Sequence, residues 1–481
     1  MNFSPYQIDI FKAVQTTQNH ICVEATAGAG KTSTILEALK LIPRMKKSIF
    51  LSFSNTIVNE LKSRVPDYVK ASTLHSLGCR MIMKQYRGVK IDNDKWFKIL
   101  VNDLKAEDKN KANFRICGQT SDVINYARMT LTRPSVIDLS TMCDHYGLEW
   151  TTEIIYKAMK FLNEQEKHLK MIDFTDMIYL PATSTRLIDE QFDFVFLDEA
   201  QDLNNAQRTF IEKILRPNGR LVAVGDSKQS IYSFSGSSID SFDKLKQRPN
   251  TTELPLSISY RCAKNIVIEA QKIFDTIQPF EGAIDGIVRK GDLEEAKAGD
   301  MVLCRKTAPL ILAFFYLLRK GIKSTVIGKD IEVGLLDLAA KVQTTDKERT
   351  LLRIEDQKEV LREELIKLKF HNPLVHPRYL ALLDKVEVLH LIIHQSNDPG
   401  NLSATIRELF REDKKAIRLM TIHRSKGLEN DRVFIIDKFN GTKTIPSPFA
   451  TKDWEKVQEK NLLFVAITRA KKELIYINLD E

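Results

Sequence analysis

The sequence predicts an α/β protein: two parallel-sheet blocks, each with a mainly helical insertion. Three observations carry this expectation. Short β-prone runs alternate with apolar-periodic helices over residues 20–76 and again from 192 to 229, the spacing of strands joined by crossover helices. A second alternating set starts near Leu254 and returns at 417–477. The stretches 78–170 and 331–414 show helical spacing and few strand signals. At 481 residues the chain exceeds one ordinary core. The expected division is 1–77 with 171–255, 78–170 as a helical insertion, 256–330 with 415–481, and 331–414 as a shorter insertion.

Composition narrows the class. A hydrophobic fraction of 43% with 28% charged residues is that of a globular protein, and a net charge of +9 suits a polyanionic partner. The six cysteines are scattered without a CxxC pair, which argues against a zinc site or a disulfide framework. The first residues, MNFSPYQIDIFKAV, lack a basic region followed by an apolar core, so no signal peptide is expected. The longest apolar run, 310–318, is too short to span a membrane and reads as a buried helix. Cytoplasmic placement follows, near the nucleoid or, for a viral source, in the host cytoplasm. No further domain is expected after the last strand.

Taken in order, Ser4-Pro5 starts a helix over 3–17 with Ile8, Phe11 and Val14 on one face. Gln7 lies just inside it, as a lone glutamine on a solvated helix. Next comes ICVEATAGAGKTSTILEALKL, residues 21–41. An apolar strand leads into a small-residue loop, then Gly30-Lys31-Thr32, then a helix, the context a phosphate-binding loop requires. The triplet alone is weak, since it arises by chance in roughly one chain in six of this length; its flanks make it informative. Backbone N–H groups from Ala25 through Ala27, Gly28, Ala29 and Gly30 to Ser33 can surround a polyphosphate. Lys31 neutralises β/γ charge, and the Thr32 hydroxyl sits on Mg²⁺.

SIFLSFSN (48–55) is a second strand run, and 69–74 a third. In a parallel sheet, ligands sit at the carboxyl ends of the strands. Phe53 and His75 therefore point to the working edge, as contacts or as core packing. From 78 to 170 basic residues such as Lys84, Lys95 and Lys98 recur beside aromatics, as a solvated face or a nucleic-acid surface. FDFVFLDEAQD (192–202) delivers Asp198 and Glu199 at a strand end. The first can hold Mg²⁺ and the second can orient and deprotonate the attacking water. A further strand, 221–224, ends in GDSKQ, where Gln229 can sense a γ-phosphate; Tyr232 and Phe234 follow with faces for base stacking.

In the second set, Ser259-Tyr260-Arg261 opens a helix, and 351–370 carries Ile354, Leu361, Leu365 and Leu368 at helical spacing, as a packing face rather than a partner-binding helix. No phosphate loop occurs there, yet Arg261 and Arg469 follow its strand signals. That suggests a nucleotide sandwiched between blocks, with both arginines stabilising transition-state charge.

In order, these motifs resemble the UvrD/Rep/PcrA group of superfamily 1 DNA helicases, end to end across both α/β blocks. The resemblance implies two RecA-like domains, ATP and Mg²⁺ as cofactors, and single-stranded DNA and ss/ds junctions as partners. Residues 25–32 match the family's AxxGxGKT loop, in which Ala25 replaces the usual first glycine. Gln7 matches the glutamine that reads adenine, Tyr260 the tyrosine that stacks on it, and Glu429 the carboxylate that holds the ribose. Arg261 and Arg469 match arginines at the γ-phosphate. DEAQD (198–202) is similar to the DExQD element. Phe53 and Asn55, Thr73 and His75, Tyr232 and Phe234, and Thr421 and His423 fall in DNA-contacting segments. One departure concerns grip: where the family has YxWRG, this chain has Tyr232-Ser233-Phe234-Ser235-Gly236. The second insertion is also shorter than the family's larger one.

The function implied is an ATP-driven 3′→5′ motor on single-stranded DNA that unwinds duplex in replication, repair or recombination. Two alternatives stay open: a translocase that strips proteins with little unwinding, and a DNA-sensing ATPase switch within a larger complex.

Overall fold

The computed structural model describes residues 3–480 apart from 54, 108–113, 232–235, 237–239, 368–372, 396–400, 412, 414 and 449. The chain divides into two compact units, residues 1–257 and 258–481.

In the first unit, α1 (Pro5–Thr16) is started by a capping box between Ser4 and Gln7. Strands β1 (His20–Ala25), β2 (Ser48–Leu51) and β3 (Val69–Ser72) alternate with α2 (Lys31–Leu39), α3 (Asn55–Leu61) and α4 (Leu74–Gln85). The helical segment lies between two short paired strands, β4 (Lys90–Ile91) and β5 (Met171–Ile172). It comprises α5 (Lys95–Glu107), α6 (Phe114–Thr130), α7 (Val136–Tyr146) and α8 (Thr152–Asn163), around a core that includes Trp96, Ile124 and Phe161. The chain then returns through α9 (Asp176–Thr183), β6 (Phe192–Leu197), α10 (Asn205–Ile214), β7 (Leu215–Gly225), α11 (Ser241–Lys246) and β8 (Thr251–Leu256).

The sheet order is β3-β2-β6-β7-β1-β8, and every pair in it is parallel. Its strands read as near-continuous apolar runs because both faces are covered. Cys22, Ile49, Leu51, Val195 and Leu197 belong to one core, while Ile21, Val23, Phe50, Phe194 and Phe196 belong to the other. That is the period-2 alternation of a strand buried on both sides.

The second unit opens with β9 (Ile258–Ser259), α12 (Lys264–Gln271), β10 (Gln278–Pro279) and β11 (Ile287–Lys290). It continues with β12 (Met301–Cys304), α13 (Ala308–Arg319), β13 (Ser324–Ile327), α14 (Lys329–Val342), α15 (Lys347–Lys367), α16 (Pro377–Gln395) and α17 (Leu402–Leu409). It closes with β14 (Ile417–Thr421), α18 (Ile422–Ser425), β15 (Asn430–Phe439), β16 (Thr442–Lys443), α19 (Asp453–Ile467) and β17 (Ala470–Leu479). The order is β11-β17-β15-β12-β14-β13, parallel throughout, with β16 pairing antiparallel to β15. Helix α13 is the buried helix expected over 310–318, with Leu310, Ile311 and Ala313 wholly enclosed.

Several expectations need correction. Ile8 is 53% exposed, and the inner face of α1 is Gln7, Ile10, Ala13 and Val14, because the Gln7 side chain is fixed by the cap and by Thr34. Residues 251–256 form an edge strand of the first sheet rather than opening the second set. Ser259 ends β9, and the helix after it begins at Lys264, so Ser259-Tyr260-Arg261 opens no helix. The division placed at residue 78 falls inside α4, whose Leu74, Leu77 and Met81 join the sheet core. The segment 331–414 shares its core with the second sheet: Leu335, Ala339, Ile354 and Leu389 cluster with Val302, Leu419 and Ile475. Its stripe is buried at Ile354, Leu361 and Leu365; Leu368 lies outside the described residues.

Candidate active site

Because the first sheet is parallel, its strand ends all deliver their loops to one edge. After β1 the loop 26–30 turns on Gly28 (φ 72°) and Gly30 (φ 77°), left-handed positions that favour glycine. Gly30 caps α2 without any side-chain oxygen, so the first-turn amides of Lys31, Thr32 and Ser33 meet no side-chain cap. The Thr26 hydroxyl is buried beside them without a hydrogen-bond partner. A left-handed glycine cradle, uncapped amides and an orphaned hydroxyl fit a polyphosphate. The Thr32 hydroxyl donates to Asp198 Oδ2 at 3.3 Å, and this hard-oxygen pair fits Mg²⁺ held jointly with phosphate oxygens.

Asp198 follows β6 and is 3% exposed. Burial, then the adjacent Glu199 charge, raises its pKa to about 7; Lys31, the Glu199 N–H and Thr32 oppose the rise. Glu199 adopts φ 54°, a strained conformation for a non-glycine residue of the kind found at functional sites. Its Oε2 lies 3.8 Å from Lys31 Nζ. Gln229 follows β7 and is buried, its Nε2 donating to Asp226 Oδ2 at 2.6 Å. Gln7 is buried rather than solvated: its Oε1 accepts from the Ser4 N–H, and its Nε2 donates to Thr34 Oγ1 at 3.0 Å. No local pattern around a lone glutamine marks this second bond, which spans 27 residues. Ala25 ends β1 within the apolar core, and Ala27 and Ala29 are buried in the loop.

On the same edge, Phe53 is 39% exposed beyond β2. Thr73 is committed to α4, accepting from the Ser76 N–H at 3.1 Å as its N-cap. His75 sits in the first turn of α4, edge-on to Phe174 at 5.8 Å, and both line an open groove of about 660 Å³ with Arg80 and Lys84. Sequence reasoning missed Phe174, an exposed ring between Asp173 and Asp176; its signal was an aromatic between two acids. The Asn55 side chain, Tyr232 and Phe234 lie outside the described residues.

In the second unit, Tyr260 is 43% exposed and lies against Phe280, with ring centroids 5.1 Å apart. Arg261 pairs with Glu429 (2.5 Å) and donates to the Thr468 carbonyl. Arg469 is buried, donating to the carbonyls of Val465 and Leu428 and to the Thr468 hydroxyl. Thr421 ends β14, and His423 lies in the short α18 that follows. Burial, then Arg305, depresses the His423 pKa to about 3; burial likewise lowers His75. Both imidazoles are neutral at pH 7 and offer hydrogen bonding or stacking, not charge.

The model of the UvrD/REP helicase N-terminal domain matches residues 8–250, more than half of the chain. The chain belongs to the UvrD/REP helicase family. Its C-terminal part agrees, since the UvrD-like helicase C-terminal domain matches residues 389–481. Among relatives, the ATP-dependent DNA helicase Rep of Buchnera aphidicola subsp. Schizaphis graminum is 22% identical, over 96% of this chain and 92% of that protein. The ATP-dependent DNA helicases PcrA of Leuconostoc citreum (24% identical) and Bacillus subtilis (26%) align with 55% and 54% of this chain. The chain spans 38% of the length of each of these two PcrA proteins. Both large sheets of this chain are parallel apart from the short antiparallel pairing of β16, and among the described residues no helix is long and apolar enough to cross a membrane.

Proposed function

We propose that this UvrD/REP family member is an ATP-driven motor that moves 3′→5′ on single-stranded DNA and separates duplex at ss/ds junctions. The observation that carries the ATP-driven part of the reading is the convergence of Lys31, Thr32, Asp198 and Glu199 at one sheet edge, linked by the Thr32–Asp198 and Lys31–Glu199 contacts; action on DNA is inferred from family membership, and the 3′→5′ direction from the motif resemblance. The Lys31 ammonium would bind the β/γ-phosphates, and Thr32 with Asp198 would hold Mg²⁺, whose contribution when bound is to neutralise charge on the phosphates. Glu199 orients the attacking water and accepts its proton. Arg261 and Arg469 are the cations for transition-state charge, and Gln7 and Tyr260 take the adenine. Thr73 supports the DNA edge as the cap that holds His75, while Phe53, His75, Thr421 and His423 meet the strand.

One sequence feature favours a second reading, a translocase that clears proteins with little unwinding. Phe234 and Ser235 stand where the family has Trp-Arg, so the base-stacking grip is smaller and lacks a cation. The experiment is ATP hydrolysis by purified wild type and Lys31→Ala, with and without single-stranded DNA. The motor reading expects strong stimulation of the wild type and none of the variant; equal basal rates in both would end it.

A further inference from the structure

We propose that Gln201 is a positioning residue for ATP hydrolysis, one amide that ties the water-activating carboxylate to the γ-phosphate-sensing turn. The inference rests on the roles of Glu199 and Gln229 proposed above. Gln201 is 1% exposed, in the single turn after the acidic pair. Its Nε2 donates to Glu199 Oε2 at 2.7 Å, and its Oε1 accepts from the Asp226 N–H at 3.0 Å. Asp226 is itself fully buried; its Oδ1 accepts from the Lys228 N–H at 3.0 Å and its Oδ2 from Gln229 Nε2 at 2.6 Å. A continuous hydrogen-bonded line therefore runs Glu199–Gln201–Asp226–Gln229. Its two ends act on the two sides of the same reaction, the attacking water and the transferred phosphate.

Two features make this more than incidental packing. Glu199 has left-handed backbone, and the Gln201 amide at 2.7 Å is a closer partner of its carboxylate oxygen than Lys31 Nζ at 3.8 Å, so the amide fixes the direction of that oxygen. The partner's path is kept open by Gly225: a Cβ there would lie 2.8 Å from Gln201 Oε1 and 3.1 Å from the Gln201 backbone nitrogen. The last residue of β7 thus reserves space for this amide. A glutamine suits the task because it offers a donor and an acceptor without charge. A glutamate here would repel Glu199, and an apolar side chain would leave a buried N–H unsatisfied.

The test compares Glu199→Gln, Gln201→Met and Gly225→Ala in the full chain. The readouts are kcat and KM for DNA-stimulated ATP hydrolysis, the Kd of a fluorescent ATP analogue, and the melting temperature. Methionine keeps the length of Gln201 but neither hydrogen bond; the Gly225 variant keeps the amide and displaces it. Both are expected to lower kcat by about tenfold to a hundredfold with nucleotide Kd within about twofold. If Gln201→Met fails to fold, Gly225→Ala carries the comparison. Turnover within twofold of wild type in the folded variants, beside an inactive Glu199→Gln, overturns the role of Gln201 and leaves the wider reading intact. Loss of nucleotide binding and of melting temperature in step with kcat also overturns it, since the amide would then serve folding alone. Normal hydrolysis by Glu199→Gln removes the assignment on which the inference rests.

Discussion

Replacing Asp176 by asparagine should destabilise the first unit severely, although the residue touches none of the phosphate-site side chains. Asp176 is fully buried in a cluster of two cations and two carboxylates. Its Oδ2 accepts from Lys95 Nζ at 2.6 Å, and its Oδ1 from Arg128 Nη1 at 2.7 Å. Arg128 also donates to both oxygens of Asp173, at 3.0 and 2.6 Å. The cluster is neutral as a whole, so the asparagine leaves two buried cations facing one carboxylate. Stranding a buried charge costs about 3–5 kcal/mol. For a unit of this size each kcal/mol moves the midpoint by about 2–4 °C, so melting should fall by about 6–20 °C. Differential scanning calorimetry reads this directly and separates the units where they unfold independently. Adding Lys95→Met to an Asp176→Leu variant restores the charge balance and should recover much of the loss. A single variant melting within about 2 °C of wild type would refute the reasoning. So would an Asp176→Leu/Lys95→Met variant melting no higher than Asp176→Leu alone.

Other outcomes follow from the site. Lys31→Ala and Glu199→Gln should each lower turnover by about a hundredfold or more, the latter with ATP binding retained in a fluorescent-nucleotide titration; normal hydrolysis in either breaks the assignment. Because burial and the Glu199 charge raise the Asp198 pKa to about 7, protonation of this carboxyl would compete with Mg²⁺ at lower pH. Affinity for Mg²⁺-nucleotide should therefore weaken about tenfold between pH 8 and pH 6, and Asp198→Asn should abolish that slope; a flat wild-type profile contradicts it. With His423 held neutral, its loss should weaken DNA binding without changing the salt dependence, measured by anisotropy at several salt concentrations. Phe234→Ala should loosen coupling, so that more ATP is consumed per nucleotide travelled; unchanged stepping efficiency removes Phe234 from the DNA path.

Both parallel sheets were legible in the sequence, as was the strand-end placement of the residues proposed to bind phosphate, because each buried strand hands directly to a polar loop. Phe192–Leu197 reads as an apolar run and hands directly to Asp198 and Glu199. The contacts that organise those residues were not legible. Lys95 read as part of a solvated or DNA-facing stretch, yet its partner lies 81 residues away, and no local pattern marks such a pair. Periodicity also says that a helix has an inner face, not what covers it. That is why Ile354 and Leu389 read as a separate insertion although they pack into the core of the second sheet. At α1 a single bond from Gln7 to Thr34 accompanies a face different from the apolar count, leaving Ile8 in solvent.

The central claim is tested most directly by strand separation with purified protein, ATP and Mg²⁺ on duplexes carrying a 3′ or a 5′ single-stranded tail. The account predicts separation that requires ATP and the 3′ tail and is absent in Lys31→Ala. Separation from the 5′ tail alone would contradict the direction, and no ATP-dependent separation from either tail would contradict the unwinding motor itself.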